Sequence, residues 1–488
     1  MDTAALGAAL QPFLFACASL VCSVALACRT TPPPTTGATP SGARRAHLAT
    51  LRASPHLGAA VRPAFALNWS GGAVHLNHGS YGTAPRAVTA AARAIEDRIE
   101  GSPDGFFRRW GRPAYFAACD AAAGFVGSSP AHTALVPNAT FAVNAVLRSL
   151  RLKRGDRVLI NDHTYGACRN AVVDTAERAG AVVVTLRLPL PGVLAPGALL
   201  AAVVDCLATD GPFAFALFDH ITSPTAIVMP IADIIVACHA AGVPVMVDGA
   251  HAPGQIPKLD VASIGADWYC GNLHKWAFCG KGVCVLALGP GSPAAADTQG
   301  AIVSHLWRGS FRERCWMQGT MDLSSYLAVP ASLEWVDSHL GGWGVVGAYN
   351  SALVRVGASI CAAAWGTSSL LPDELASPFL VSVRAPLSPL AWLPAGHPAV
   401  AAAARGDLEV TEELVRELTS RINDAVAAEV FSASRIQTQS YVWVVGGEPV
   451  VFIRLSAQVY NTVDEYSALA REVLALKERE AVVGPAER

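Results

Sequence analysis

The sequence lacks any imbalance between acidic and basic side chains. Its 488 residues include 36 Lys and Arg against 38 Asp and Glu. Proteins that bind nucleic acid or anionic lipid through charge usually carry a clear excess of basic residues. The composition therefore argues against a nucleic-acid partner, and the length predicts a large apolar core with more than one domain.

The sequence also lacks the cysteine spacing of a zinc site or of a disulfide framework. Twelve cysteines are present, but no two of them are separated by just two residues, and most lie within apolar runs. Cysteines in such surroundings are typically buried free thiols. We therefore expect no metal site.

Acidic residues are missing between Asp2 and Glu96. Residues 3–28 carry no charge, and residues 29–63 are rich in Thr, Pro, Ser, Ala and Arg. An apolar segment followed by a basic, acid-free stretch resembles a two-part organelle presequence, for example one that reaches a plastid by the secretory route. The alternative is a membrane anchor, because an uncharged segment of this length could span a bilayer. We assign residues 1–65 to targeting and a linker, and we expect the mature protein to be soluble.

After this segment, apolar runs of strand length alternate with helical patterns, which predicts an α/β fold. Residues 213–218 and 243–247 are candidate buried strands, and the helix between them begins at Pro230 and ends at Gly242. Ligands of a parallel sheet lie beyond the carboxyl ends of its strands. Asp219, His220 and Asp248 stand at two such ends.

We expect two α/β domains. The larger, residues 66–330, should hold a mixed, mostly parallel sheet, and the smaller should cover residues 331–488. Within the smaller domain, the pattern predicts a helix over 408–428 followed by strands over 441–445 and 450–455.

A buried strand-end carboxylate is costly unless it faces a cation. The protonated ring nitrogen of pyridoxal phosphate is such a cation, and this cofactor also needs a lysine that forms a Schiff base with its aldehyde. Asp248 and Lys275 suit these two roles, and the apolar neighbours of Lys275 should lower its pKa. For an isolated Asp and Lys pair, the alternative would be a surface salt bridge.

Eight segments together identify a family. The chain resembles the class V aminotransferase superfamily of fold-type I pyridoxal-phosphate enzymes, and within it the isopenicillin N epimerase-like branch. It is also similar to plant-type L-cysteine desulfhydrases and to the carbon–sulfur lyases of ergothioneine synthesis. The matching segments, in family order, are LNHGSYGTAP (76–85), PNATFAVNAVL (137–147), DHTYGA (162–167), DHITSPTAIVMPI (219–231), DGAH (248–251), NLHKW (272–276), QGTMDLSSYLAVPA (318–331) and RLSAQVYNTVDEY (454–466).

The resemblance implies two contacts to the cofactor phosphate. Asn138, Ala139 and Thr140 precede a helical pattern, so that a helix start and a hydroxyl could hold the anion. Gly319 and Thr320 match the position where family members contribute a phosphate contact from the neighbouring subunit. The resemblance therefore implies a homodimer with shared active sites.

The resemblance also implies the residues around the cofactor ring. Either His163 or Tyr165 should stack on the ring, and we favour Tyr165. His220 matches a residue near the phenolic oxygen of the cofactor, and His251 matches a second partner of the ring. His274 belongs to the cofactor segment beside Lys275. We expect the catalytic residues to be Lys275, Asp248 and His251.

Three residues match substrate contacts of the family. Arg454 lies in an apolar strand pattern and corresponds to the residue that binds the α-carboxylate of an amino-acid substrate. Its alternative is an internal ion pair with an Asp or Glu. Asn77 and His78 should close over the substrate.

The reaction is less well determined than the cofactor. The resemblance favours β-elimination from L-cysteine or a cysteine conjugate, with an epimerase or aminotransferase as the alternative. Cysteine desulfurase activity is less favoured, although Cys279 lies close to Lys275 in sequence. A silent scaffold that keeps the fold is a further alternative, but the lysine, the acid and the phosphate threonine are all present.

Overall fold

The computed structural model describes residues 40–394 and 396–482. The strands are β1 (Val74–His75), β2 (Thr133–Val136), β3 (Arg157–Asn161), β4 (Val182–Leu186), β5 (Phe215–Asp219), β6 (Val245–Asp248), β7 (Trp268–Asn272), β8 (Cys284–Leu288), β9 (Leu380–Arg384), β10 (Ile436–Gln437), β11 (Gln439–Val445) and β12 (Glu448–Ser456).

The α-helices are Pro40–Arg52, His78–Tyr81, Arg86–Glu100, Pro103–Gly105, Gly111–Val126, Ala139–Ser149, Gly166–Ala179, Ala198–Asp210, Ile231–Ala240, Val261–Ile264, Leu273–Trp276, Phe311–Trp316, Ser324–Leu327, Val329–Leu340, Trp343–Trp365, Pro398–Arg405, Glu412–Ser434 and Val463–Val482. Short 3₁₀ turns lie at Gly58–Ala64, Pro130–His132, Gly192–Leu194 and Pro389–Trp392, and a π-helical turn lies at Phe106–Trp110.

A seven-stranded sheet forms the larger layer, in the order β2-β8-β7-β6-β5-β3-β4. The pairs from β4 to β7 are parallel, whereas β8 runs antiparallel to both β7 and β2. This arrangement confirms the predicted α/β fold with a mixed, mostly parallel sheet. It also confirms that the predicted strands at 213–218 and 243–247 are neighbours, as β5 and β6.

Alternate residues of β5 show why this sheet is buried on both faces. Phe215 and Leu217 pack into one apolar cluster, together with the helices Ala139–Ser149 and Gly166–Ala179. Ala216 and Phe218 pack into the cluster on the opposite face. Because side chains alternate along a strand, a continuous apolar run supplies both faces at once.

The C-terminal part of the chain forms a smaller antiparallel sheet in the order β11-β12-β9. β11 and β12 form the predicted hairpin, and the helix Glu412–Ser434 packs its buried residues into the same cluster as β12. The helix Trp343–Trp365 is long and apolar enough to cross a membrane, yet more than half of it is buried in this cluster. The apolar composition of this helix therefore fits a position in the protein core.

The expected boundaries at residues 65 and 330 fall within packed parts of the described structure. Leu57 and Phe65, expected in a linker, are buried in the C-terminal cluster, because their apolar side chains cover it. The expected boundary at 330/331 falls inside the helix Val329–Leu340. Most of the expected targeting segment, residues 1–39, lies outside the described residues.

Candidate active site

Two buried carboxyl groups mark the carboxyl edge of the large sheet. Asp219 ends β5 and Asp248 ends β6, and their Cα atoms are direct partners in the parallel pairing. The side chains are only 2% and 3% exposed. Residues paired in register point to the same face of a sheet, so that the two acids lie side by side.

Three weak or neutral donors hold Asp248. The backbone N–H of Ala250 donates to Oδ1 at 2.9 Å, and the Cys270 thiol donates to the same oxygen at 3.7 Å. The Cys168 thiol donates to Oδ2 at 3.2 Å. Within the described residues, no Lys, Arg or His nitrogen lies within 4.0 Å of this carboxylate. The described part of the chain therefore supplies no direct cationic partner for Asp248.

Lys275 lies in the short helix that follows β7. Its Nζ atom is 3.1 Å from Nε2 of His251. Burial lowers the pKa of Lys275 to about 8, Arg454 adds to this effect, and Asp248 opposes it. A lysine with this pKa holds a useful fraction of neutral, nucleophilic amine near neutral pH.

The indole of Trp276 sets the tautomer of His251. Its Nε1–H donates to Nδ1 of His251 at 3.4 Å. Since an indole nitrogen can only donate, the proton of a neutral His251 must be on Nε2, which faces Lys275. Burial and the charge of Lys275 hold the pKa of His251 well below its usual value. His251 is therefore a neutral donor toward the lysine amine.

His220 is a second neutral imidazole at this edge. Its Nδ1 atom is 2.9 Å from the hydroxyl of Tyr269, and its backbone N–H donates to the carbonyl of Asp248 at 2.8 Å. Burial lowers the pKa of His220 to about 4. The contact with Tyr269 fixes the ring next to Asp248.

The helix Ala139–Ser149 begins at the predicted phosphate site. The Asn138 side chain accepts from the N–H of Phe141 at 2.8 Å, and Asn272 accepts from the N–H of Ala139 at 3.0 Å. The N–H of Thr140 lies in the first turn, where no intrahelical acceptor is available. The positive end of the helix and the Thr140 hydroxyl can therefore receive an anion.

The two aromatic candidates occupy different environments. His163 is buried, with its ring nitrogens 2.9 Å from Thr225 Oγ1 and 3.1 Å from the carbonyl of Leu188. Its ring packs against Trp443, with centroids 4.5 Å apart. Tyr165 is 45% exposed, and burial together with nearby Cys168 raises its pKa, with a smaller contribution from Asp248. The geometry favours Tyr165 as the ring that faces a ligand.

Arg454 is buried without an internal acid. Its Nη1 donates to the carbonyl and hydroxyl oxygens of Ser223 at 2.7 and 3.2 Å, and its Nη2 donates to Asn77 at 3.2 Å and to Ser80 at 2.8 Å. The side chain is 3% exposed, and its Nε has no partner in the described structure. No Asp or Glu oxygen of the described residues lies within 4.0 Å. Among the described residues, Arg454 therefore forms no internal ion pair.

The structure gives His78 and His274 supporting positions. His78 is buried, and its ring nitrogens contact Tyr460 Oη at 2.7 Å and the carbonyl of Lys275 at 2.5 Å. His274 contacts the carbonyl of Val283 at 2.9 Å. Both ring nitrogens of His78 therefore have partners within the protein, and the contact with the Lys275 carbonyl holds the backbone of the lysine segment. The expected closure of His78 over the substrate stays a prediction.

Gly319 and Thr320 lie on the surface of the described structure. Both are exposed, and no hydrogen bond joins either of them to the cluster within the described part of the chain. Cys279 is buried, and burial raises its pKa to about 12. Its thiol is therefore a poor nucleophile, despite its closeness to Lys275 in sequence.

Several residues of the cluster were missed by the sequence analysis. Cys168 directly follows one family segment and Trp276 ends another, but a thiol and an indole there have no spacing rule that separates function from packing. Tyr269 sits within an apolar strand, where a buried tyrosine is usually a core residue. Ser80 and Ser223 became visible as partners of Arg454 only through the fold.

A family model described as aminotransferase class V matches residues 114–339. A rice protein (Oryza sativa subsp. japonica), provisionally named L-cysteine desulfhydrase 1, is 32% identical over 417 residues, which is 82% of this chain and 82% of that protein. An isopenicillin N epimerase of Streptomyces clavuligerus is 32% identical over 283 residues, 54% of this chain and 68% of the epimerase.

Among solved structures, the cystine C–S lyase C-DES in complex with cysteine persulfide matches with a TM-score of 0.58 at 19% identity. The match covers 84% of this chain and 98% of the lyase. At this identity the likeness shows a shared fold.

Proposed function

Since the chain belongs to the class V aminotransferase family, we propose that it is a pyridoxal-phosphate-dependent lyase that cleaves the carbon–sulfur bond of L-cysteine or of a cysteine conjugate by β-elimination. The observation that carries this proposal is the Lys275 amine, held at 3.1 Å from a neutral His251 at the strand end that carries Asp248. The similarity to a protein named as a cysteine desulfhydrase supports the substrate class.

The residues at this edge fit pyridoxal phosphate. Asp248 is a buried carboxylate with no cationic partner within 4.0 Å among the described residues, as the acid that binds a protonated ring nitrogen should be. Thr140 offers a hydroxyl at a helix start for the phosphate. Tyr165 offers a partly exposed ring for stacking, and Lys275 offers the amine that tethers the aldehyde. Each of these four roles is part of the proposal.

When bound, pyridoxal phosphate supplies an aldehyde that captures the amino group of the substrate and an electron sink for the charge that forms at Cα. The protein supplies the base. The Nζ atom of Lys275 can remove the Cα proton, since its pKa of about 8 leaves part of the amine neutral. In the resting site His251 holds the neutral amine through its Nε2–H, and this contact must open before the same lone pair of Nζ takes the Cα proton. The proton held on Nζ is then available to the departing sulfur.

Arg454 is proposed to bind the α-carboxylate of the substrate. Asn77 and Ser80 hold one end of its guanidinium, and Ser223 holds the other. These neutral partners fix the position of the charge without neutralising it. A substrate carboxylate would therefore be its first anionic partner, and a charge-assisted contact of this kind selects amino acids over amines.

The cysteines of the chain favour elimination over persulfide transfer. A desulfurase needs a thiol that can reach and attack the substrate sulfur. All nine cysteines of the described residues are buried, and Cys279, the nearest of them to Lys275 in sequence, has a raised pKa. A sulfur atom that leaves freely as sulfide or thiol needs no such acceptor.

The test uses the purified chain loaded with pyridoxal phosphate. The protein should absorb in the visible range, and incubation with L-cysteine and with cysteine sulfoxides should release pyruvate together with sulfide or the sulfur-containing leaving group. Racemised substrate without pyruvate would favour the epimerase, and a keto acid that keeps its sulfur would favour the aminotransferase. A chain that binds no cofactor would indicate a silent scaffold.

We further propose a homodimer in which Gly319 and Thr320 complete the phosphate site of the partner subunit. Their exposure, and the absence of a hydrogen bond to the cluster within the described residues, are consistent with this arrangement. Coexpressed Lys275→Ala and Thr320→Ala chains provide a test. Mixed dimers should regain one intact site and therefore more activity than either variant alone.

The N-terminal segment is proposed to direct the chain to an organelle, with the plastid as the first candidate. Its apolar part, residues 3–28, and the acid-free stretch behind it support this proposal. Residues 1–65 fused to a fluorescent protein should locate in that organelle, and a cytosolic signal would contradict the proposal.

A further inference from the structure

Asp219 is a buried acid that the proposed mechanism does not use. It stands one strand away from Asp248, with its Cα paired to that of Asp248 across β5 and β6. Its Oδ2 atom is buried and has no hydrogen-bond partner in the described structure. No Lys, Arg or His nitrogen of the described residues lies within 4.0 Å of it.

Two neighbouring buried carboxyl groups cannot both ionise cheaply, because each charge loses its hydration and repels the other. The two carboxyl groups differ in the hydrogen-bond donors that they receive. Asp248 receives one backbone N–H and two thiols, on both of its oxygens. Asp219 leaves one oxygen with no donor at all. The single charge therefore belongs on Asp248 and the proton on Asp219.

We propose that Asp219 is a positioning residue that stays protonated beside Asp248, so that the ends of β5 and β6 carry one negative charge aimed at the cofactor. This inference rests on the proposed role of Asp248. It assigns Asp219 a task of its own, since a second anion here would draw cations away from Asp248 or push the two strand ends apart.

The electrostatic surroundings of Asp219 agree with this assignment. Burial and the charge of Asp248 hold the pKa of Asp219 well above its usual value, while a hydrogen bond from the backbone N–H of Tyr165 and the charge of Lys275 act in the opposite direction. The Cys168 thiol, on the helix Gly166–Ala179, also interacts with both acids. The contact with Tyr165 also links Asp219 to the ring proposed to face the cofactor.

The first experiment measures the melting temperature of the cofactor-free protein between pH 4 and pH 8. Unfolded aspartate loses its proton near pH 4. If folded Asp219 keeps its proton, its titration must destabilise the wild type as the pH rises above that point, and Asp219→Asn, which cannot titrate, lacks this contribution. The melting temperature of the variant minus that of the wild type should therefore grow with pH.

Asp219→Leu is the second variant, and it is used if the buried amide of Asp219→Asn prevents folding. The melting temperature of Asp219→Leu minus that of the wild type should also grow with pH. Asp267→Asn is the matched control, because Asp267 is a buried acid that accepts from His239, from the N–H of Val245 and from Ser292. This control should melt below the wild type at neutral pH. If the melting temperature of the Asp219 variants minus that of the wild type stays constant or falls as the pH rises, the inference is wrong.

The second experiment measures the affinity for pyridoxal phosphate and the absorbance of the bound cofactor. Asp219→Asn, which mimics the neutral acid and can still accept from Tyr165, should bind within about threefold of the wild type. Asp219→Leu should bind the cofactor about tenfold more weakly, because leucine cannot accept the hydrogen bond from the N–H of Tyr165. Asp248→Asn should lose more affinity than that. If Asp219→Asn loses as much as Asp248→Asn, Asp219 carries the charge and the inference is wrong. If the wild type binds no cofactor, the proposed function fails, while the melting experiment still decides the protonation.

Discussion

Two buried acids at opposite ends of the large sheet differ in how their oxygens are satisfied. At the amino end, Asp267 accepts hydrogen bonds from His239 at 2.9 Å, from the N–H of Val245 at 2.8 Å and from Ser292 at 2.5 Å. At the carboxyl end, Asp219 leaves an oxygen without a partner in the described structure, and Arg454, on β12 of the smaller sheet, leaves a nitrogen without one. The described residues therefore satisfy Asp267, whereas Arg454 keeps a donor for a further group and Asp219 keeps the oxygen that is proposed to carry a proton.

This contrast separates stability from function. Substitutions at the amino end should lower the melting temperature and spare substrate binding. Substitutions at the carboxyl end should change turnover and ligand binding more than the melting temperature. The polar groups there lose hydration on burial, and a bound ligand offsets that loss of free energy.

Lys275→Ala should have the largest effect. It removes both the tether and the base, so turnover and the visible absorbance of the bound cofactor should fall below detection. Lys281→Ala is the control, since Lys281 donates to the carbonyl of Gly82 at 2.9 Å and has no role in the proposal. Enzyme assays and a thermal melt on the same preparations make the comparison, and measurable turnover by Lys275→Ala would contradict the assignment.

Arg454→Lys should come next. A lysine cannot reproduce the two-pronged geometry of the guanidinium, so the KM for the amino acid should rise by an amount equivalent to about 2–5 kcal/mol. The cofactor absorbance should remain. Arg62→Lys is the control, because Arg62 pairs with Glu465 at 2.5 Å and should affect the melting temperature alone. An unchanged KM for Arg454→Lys would end its assignment to the substrate.

Asp267→Asn tests the opposite end of the sheet. The amide cannot accept on both sides, so at least one donor loses its partner and unfolding should become easier by about 1–3 kcal/mol. Denaturant unfolding gives this value. KM should stay at the wild-type level, and a rise in KM would break the proposed division between the two ends.

The pH dependence of cofactor capture gives a further test of the carboxyl end. Burial lowers the pKa of Lys275 to about 8, and only the neutral amine attacks the aldehyde. Capture by the cofactor-free protein should therefore speed up about tenfold for each pH unit below 8 and level off above it. Stopped-flow absorbance measures the rate. A rate that still climbs steeply above pH 9 would mean that the lysine is not held in this environment.

Trp276→Phe should have the smallest effect. It removes the N–H that donates to Nδ1 of His251 at 3.4 Å, which should cost about 0.5–1.5 kcal/mol of transition-state stabilisation. The tautomer of His251 then loses its constraint, so the pH profile of kcat should also shift. A melting temperature near that of the wild type would separate this effect from loss of packing, and an unshifted profile would remove the role given to Trp276.

The sequence predicted the fold well where a continuous apolar run ended in a charged residue. β5 and β6 are neighbours as expected, because two such runs separated by a helix allow little besides a parallel pair. The boundary at residue 65 could not be predicted. Whether Leu57 and Phe65 belong to a linker or to a core depends on an apolar surface that is formed by residues far along the chain.

The site was predictable to the extent that its residues lie in short family segments. Lys275 Nζ lies 3.1 Å from His251 Nε2, His163 contacts the carbonyl of Leu188, and His78 contacts the carbonyl of Lys275. A histidine next to a strand end can face either the ligand or the protein, and its direction depends on long-range partners. Asp219 was noticed only as a strand end, because its protonation depends on which neighbour takes the donors.

The most direct test of the account locates the cofactor on the chain. The loaded protein is reduced with borohydride, which makes the link between cofactor and lysine permanent, and its peptides are then examined by mass spectrometry. The chain contains only five lysines, at positions 153, 258, 275, 281 and 477. The account predicts the added mass on Lys275 alone. A modification on Lys281 or on any other lysine, or no modification at all, would contradict it.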